Sequence, residues 1–289
     1  MSGTVTAFSA VLLAAIVWSL TPVLIKIGAS NVSAIAFNGL RAFSALTLLL
    51  PLSLVVNGGV YVDPTPSALI VIVLSALVGL VVGDVAYVKA IQLAGVSKAV
   101  IIGYTYIFVS QVLAFILLNE GVGIGTVMGS ILAIIGIVLV VGGTQEFGYS
   151  HELRGLLAAG ISSLAWGLGS VVNRVALLYS DPVSLALIRI AIQGATLTIL
   201  DFDGLRSAMT NRRAVLTAFI TGILTYGIGA TLFLYSLQIL GVSITVLATA
   251  LTPVLSTILT RALTREVLGV KTIVGALCTA SGIALAFQL

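Results

Sequence analysis

Charge is what this sequence has least of. Its 289 residues include 13 Lys and Arg and 9 Asp and Glu, 8% of the chain, where a soluble domain carries about 25%. Hydrophobic residues make up 60%. A water-soluble fold of this size is excluded for want of polar surface. Disorder, which needs low hydrophobicity and high charge, is excluded more firmly. Histidine and cysteine are single. Cys278 cannot form an intrachain disulfide, and His151 with one distant Cys is too few ligands for a metal site, so no metal and no cofactor is expected. Neither a Gly-x-x-x-x-Gly-Lys-[Ser/Thr] phosphate loop nor a His-Glu-x-x-His pair occurs. ATP-driven pumping is therefore not expected, and the protein does not read as an enzyme. The net charge of +4 comes from loops that membrane topology explains, so nucleic acid is not an expected partner. Residues 1–10 lack Lys and Arg, and the apolar segment runs on through Ile27. It reads as a retained span, not a cleaved leader.

What is present is a series of long apolar runs. One helical span needs about 20 residues. Breaks in hydrophobicity mark ten: about 7–28, 34–56, 67–93, 96–118, 122–142, 153–178, 183–200, 214–238, 242–262 and 269–287. Transmembrane strands would alternate apolar and polar residues, whereas 122–141 is continuously apolar. Asn57-Gly58-Gly59, Pro64-Thr65-Pro66 and Asp181-Pro182 supply turn chemistry between spans. The expected fold is an all-α integral membrane protein of ten transmembrane helices, with the lipid bilayer as its first partner.

The two halves of the chain repeat one another. Trp18, Lys26 and Arg41 recur as Trp166, Arg174 and Arg189, each 148 positions later. Beyond them the offset is 146: Gln92 and Gln238, Gly95-Val96-Ser97 and Gly241-Val242-Ser243, Glu120 and Glu266, Gly129 and Gly275, Gly136 and Gly282. Residues 1–142 form a first five-helix unit, 143–152 a linker and 153–289 a second. Five is odd, so the second unit enters the membrane from the opposite side. Such an inverted repeat lets two halves exchange conformations around a midplane site, a plan common in secondary transporters. Basic loops follow spans five, seven and nine (Arg154; Arg206, Arg212 and Arg213; Arg261, Arg265 and Lys271). The positive-inside rule puts them in the cytoplasm and both termini outside.

Trp18, Pro22 and Lys26 in span one, Arg41 in span two, and Glu120 and Glu266 each followed by paired glycines make the sequence similar to the EamA-type group of the drug/metabolite transporter superfamily. The Gly-Val-Ser before spans four and nine also fits. The resemblance implies ten helices around a central cavity in the plasma membrane. It also implies alternating-access transport of a small-molecule substrate, often export of amino acids. Related branches carry sugars, nucleotide sugars or phosphorylated sugars, and the alternatives are an uncoupled channel or facilitator, or a transporter of drugs, sugars or phosphorylated sugars. The chain departs from its own repeat at Asp84, which faces Ala230 in the second half.

Polar residues within a bilayer are costly and usually face a bundle interior or a watery cavity. Asp84, deep in span three, is the proton-coupling candidate, with Tyr87 beside it. Lys89, at i+5, lies off its face; the rival reading is a structural ion pair. Thr245, Thr249, Thr252 and Ser256 share one face of span nine, which Pro253 interrupts. Ser163, Trp166, Ser170 and Asn173 line one face of span six, and Trp18 is the mate of Trp166. Tyr104 and Gln111 share a face of span four, from which Tyr106 is turned away by about 200° in a regular helix. Tyr226 is the candidate in span eight. The competing readings are interhelical hydrogen bonds, interfacial tryptophans and satisfied buried tyrosines. Lys26, Arg41, Arg174 and Arg189 are expected to snorkel to headgroups, and the glycines of spans five and ten to serve packing or a dimer face. Monomer and homodimer both remain open.

Overall fold

The computed structural model describes residues 2–141, 151–264 and 269–287, and its regular structure is helical. This is what an apolar solvent requires, since helices satisfy their backbone groups internally. The expected linker lies almost wholly outside the described residues, as do Arg265 and Glu266. Among the described residues nine helices are long and apolar enough to cross a membrane. The expected count was ten, and the discrepancy has one place. Arg212–Ala248 is a single stretch of 37 residues where spans eight and nine were expected to part. The boundary survives as a kink, because Gly241 leaves helical geometry at φ 79, ψ −178. Beyond it, Leu251–Thr264, at 14 residues, is too short to span alone.

In chain order the helices are α1 (Ser2–Trp18), α2 (Thr21–Gly28), α3 (Ala34–Asn57), α4 (Pro66–Ser75) and α5 (Val85–Ala94), then α6 (Val96–Gly103), α7 (Tyr106–Leu118) and α8 (Ile124–Val141). The second half holds α9 (Glu152–Ala176), α10 (Pro182–Leu200), α11 (Phe202–Ala208), α12 (Arg212–Thr221), α13 (Ala230–Ala248), α14 and α15 (Val270–Phe287), with α14 being Leu251–Thr264. Two π-helical segments, Ala76–Asp84 and Gly222–Gly229, join α4 to α5 and α12 to α13. They begin 146 positions apart. The kinks match too: Gly95 has φ 83, ψ 167 and its mate Gly241 nearly the same, a left-handed φ that glycine adopts without penalty. One break is unmatched. Pro22 follows the parting of α1 from α2, where its ring would collide with the Trp18 carbonyl. Its counterpart is Ser170, and α9 runs on unbroken.

Two pairs of mate helices, α3 with α10 and α8 with α15, pack against each other and run antiparallel. In α3 and α10 the cap of each reaches the far end of the other. Ser33 caps α3 and hydrogen-bonds the Asp201 carboxylate at the end of α10. Asp181 caps α10 and accepts from Asn57 Nδ2, at the end of α3, at 2.7 Å. The second end is reinforced by a bridge between Val62 and Ser180 and by Tyr61 N–H donating to Ser184 Oγ at 2.9 Å. In α8 and α15, Gly129 lies on Gly282 and Gly136 on Gly275. A Cβ on Gly129 would come within 2.3 Å of the Gly282 carbonyl, and one on Gly136 within 2.5 Å of the Gly275 carbonyl. The glycine faces are thus consumed within the chain. Outward-facing Leu54, Phe115, Ile116 and Leu277 remain exposed, as a surface solvated by lipid requires.

Candidate functional site

The two π-helical segments line one cavity, and each seats a tryptophan from the opposite half. Trp166 lies on Gly83, where a Cβ would stand 2.7 Å from its Cδ1. Trp18 lies on Gly229, where a Cβ would stand 2.1 Å from its Nε1. Gly83 and Gly229 are mates at the 146 offset. Between these contacts is a cavity of about 150 Å³, walled by α1, α2, α3, both π-helical segments, α9 and α10, with contributions from α5, α7 and α13.

One hydrogen-bond network crosses the cavity floor. Asp84 accepts from Trp166 Nε1 on Oδ1 at 2.8 Å and from the Tyr226 hydroxyl on Oδ2 at 2.7 Å. That hydroxyl also lies 3.0 Å from Asn38 Oδ1 and accepts from Gln193 Nε2 at 3.2 Å. Asn38 Oδ1 receives Arg41 Nη1 at 2.6 Å, and the Arg41 guanidinium stacks on the Tyr226 ring at 4.3 Å. Backbone carbonyls at or beside the π-helical segments accept side-chain N–H groups: Leu80 from Gln193, Asp84 from Asn38, Thr225 from Trp18 and Ser75 from Arg189. The aromatic walls are continuous, with ring centroids 4.7 Å apart for Tyr87–Trp166, 5.9 Å for Tyr106–Trp166 and 5.5 Å for Trp18–Phe233.

The sequence profile of the EamA-like transporter family matches residues 5–142 and again 153–288. The chain belongs to the EamA-like transporter family. It is a multi-pass membrane transporter, with a small-molecule substrate and the lipid bilayer as its partners. An uncharacterized transporter of Archaeoglobus fulgidus is 26% identical over 157 residues, 54% of each chain. The uncharacterized transporter YoaV of Bacillus subtilis is 22% identical over 271 residues, 93% of this chain and 92% of its own. A solved crystal structure aligns over 99% of this chain and 96% of its own, with a TM-score of 0.80 at 21% identity, a likeness of fold alone.

In this EamA-like transporter the cavity brings together eight of the candidates named from sequence: Trp18, Asp84, Tyr87, Tyr104, Trp166, Ser170, Asn173 and Tyr226. The other six are buried elsewhere. Gln111 exchanges hydrogen bonds with Ser130 in α8, at 2.7 and 3.0 Å. Ser163 bonds Thr105 at 2.9 Å. Thr249 sits behind the wall, holding the Tyr106 hydroxyl. Thr245, Thr252 and Ser256 are buried and do not reach the cavity. Tyr106 itself does line it, contrary to expectation. The chain leaves α6 and re-enters α7 across Tyr104 and Thr105, so the regular 100° per residue does not apply between Tyr104 and Tyr106. Lys89 is exposed on the outer surface and forms no pair with Asp84.

The largest correction concerns Arg41 and Arg189. Expected at the headgroups, they are only 2% and 4% exposed and both line the cavity. The signal was available. Each stands eight residues beyond its helix cap, Ser33 or Asp181, about 12 Å into the helix at 1.5 Å per residue.

Proposed function

We propose that this protein is a secondary transporter that moves a small organic metabolite by alternating access, using two inverted five-helix repeats around the central cavity. It performs no chemistry on its cargo. The observation that carries the reading is the reciprocal construction of the cavity. The mate pairs α3/α10 and α8/α15 run antiparallel, and each half seats its tryptophan on the other half's glycine. Two such halves can exchange roles, and the exchange moves the opening from one membrane face to the other. The two cap contacts at opposite ends of α3 and α10 are natural closures for the two faces. The basic loops favour both termini outside, and the plasma membrane is the location that the family resemblance implies. The family resemblance implies export of small organic metabolites, amino acids among them, and the charge of the cavity narrows that class below.

Asp84 is the proton site in this reading. The Tyr226 hydroxyl has one hydrogen and two acceptors within reach, Asp84 Oδ2 and Asn38 Oδ1. With Asp84 ionised, the hydrogen points to Asp84. When Asp84 takes a proton it donates to the Tyr226 oxygen, and the Tyr226 hydrogen turns to Asn38. One proton thereby rearranges bonds between α3 and both π-helical segments, which is the coupling a proton-driven carrier needs. The test is release from liposomes loaded with a mixed metabolite pool, read by mass spectrometry with and without a pH gradient. Selective, saturable release is expected, and Asp84→Asn flattens its pH dependence. Unsaturable release of everything small would make the protein a channel. A pH response that survives Asp84→Asn would remove Asp84 from coupling.

A further inference from the structure

The cavity has more positive charge than it uses. Arg41 and Arg189 are buried, and each makes one hydrogen bond to a neutral oxygen: Asn38 Oδ1 for Arg41, and the Ser75 carbonyl, at 3.4 Å, for Arg189. The Nε–H of both has no acceptor, although a guanidinium carries five donors. Among the described residues, neither forms an ion pair with a carboxylate. The cavity's carboxylate, Asp84, is already occupied on both oxygens by Trp166 and Tyr226. Two buried cations thus face one anion, and a buried charge left unpaired is strongly destabilising.

Resting on the transporter reading, we propose that the substrate is a small organic monoanion. Its carboxylate lies between the Arg41 and Arg189 guanidiniums and its apolar body lies against the aromatic walls. A monoanion neutralises the excess charge and supplies acceptors for the guanidinium N–H groups that line the cavity, and guanidinium forks match carboxylate geometry. A cation meets two like charges in a poorly solvated site. A zwitterion leaves the excess in place, and its ammonium finds no open carboxylate. The orphaned acceptor in the wall, Asn173 Oδ1, is neutral. It suits a hydroxyl substituent, which donates, and with its amide turned it would donate to a keto oxygen instead. The volume, about 150 Å³, is that of a cavity known to admit one benzene ring, which sets the scale at a single ring or a branched short chain.

The test uses the purified full chain in liposomes and three probes that share one ring: phenylacetate, a monoanion; phenylglycine, a zwitterion; and benzylamine, a cation. The mixed metabolite pool is run beside them. Saturable counterflow of phenylacetate is expected, with phenylglycine weaker by about tenfold or more and benzylamine excluded, as the gain from one charge-assisted contact implies. Arg189→Gln is expected to raise the half-saturating phenylacetate concentration by about tenfold, and Arg189→Lys to restore part of it. If Arg189→Gln does not fold, the three-probe ranking on the unaltered protein decides alone. Saturable transport confined to zwitterions or cations, among probes or pool compounds, overturns the monoanion proposal and leaves the transporter reading standing. No saturable transport of any probe or pool compound overturns both.

Discussion

The two tryptophan seats are the same construction with different acceptors. Trp18 on Gly229 gives its N–H to the Thr225 carbonyl at 3.0 Å. Trp166 on Gly83 gives its N–H to the Asp84 carboxylate at 2.8 Å. Where the first half has Asp84, the second has Ala230, and the backbone suffices there. A carboxylate is therefore not needed to seat the ring. Asp84 is an addition to a symmetric frame, and it brings with it the bonds to Tyr226 and, through Tyr226, to Asn38. The comparison separates the tryptophan seat, which is doubled, from the carboxylate beside it, which is present once.

The doubled features should be the most damaging to break. Gly136→Leu would drive a side chain into the Gly275 carbonyl and Thr279. Overpacking of this kind costs about 3 kcal/mol or more where backbone opposes backbone. Thermal unfolding in detergent should show a large loss for Gly136→Leu and for its counterpart Gly282→Leu. Gly160→Leu should be nearly silent, since nothing lies within 4 Å of a Cβ there. Equal effects at all three would mean the glycine pairing does not hold α8 to α15.

The unmatched pair comes next. Asp84→Ala makes the first half resemble the second. It strips Tyr226 and Trp166 of a shared acceptor, at a cost of about 1–3 kcal/mol, and the fold should persist because the Trp18 seat does without the carboxylate. The pH dependence of transport should vanish with it. Ala230→Asp does the reverse. It adds a second carboxylate to the cavity wall, cancels the positive excess and should weaken a monoanion by about tenfold. Release from liposomes with and without a pH gradient checks the first, and direct binding of phenylacetate, measured by calorimetry on the folded variant, checks the second. An Ala230→Asp protein that binds the anion as before would show that the cavity's net charge does not select its ligand.

The sequence made much of this legible. Apolar run length defined the helices, and the 148 and 146 offsets named the mates before any contact was known. Asp84 stood out because its mate is Ala230. What escaped detection depended on how helices end or bend. Tyr106 was lost because its angle was counted through the break at Tyr104 and Thr105. Arg41 and Arg189 were placed at the headgroups because their depth was judged from span edges, not from the caps Ser33 and Asp181. Thr245, Thr249, Thr252 and Ser256 are all buried, but the helix breaks between Ala248 and Leu251, so a regular period could not say which face or neighbour they meet. Whether a face meets a cavity or another helix is decided by the neighbour. The seats at Gly83 and Gly229 were visible in the alignment of halves, though glycine is too common here, with 30 in the chain, to single them out.

The smallest effects should come from the two ends of α3 and α10, where the halves again differ. At one end Asp181 holds Asn57, backed by Tyr61, Val62 and Ser180. At the other, Ser33 bonds the Asp201 carboxylate, and Leu205 of α11 packs beside Gly39. Asn57→Ala should cost about 1 kcal/mol and Ser33→Ala, which also removes the helix cap, about as much. If the two contacts close opposite faces, each substitution frees its own end, and hydrogen exchange should quicken near 57–65 in one variant and near 201–211 in the other. Acid should act on the Asp181 end in a definite direction. Burial alone would raise the Asp181 carboxyl, but hydrogen bonds from Ser184, Asn57 and Val183 outweigh it and hold the group below its ordinary value of 3.8. A depressed folded value means the contact is fully present above 3.8 and lost as pH falls through the lower one. Protection of 57–65 should therefore be flat from about pH 8 to 5 and decline only in stronger acid. A decline near neutrality would mean that some group other than Asp181 holds that end closed.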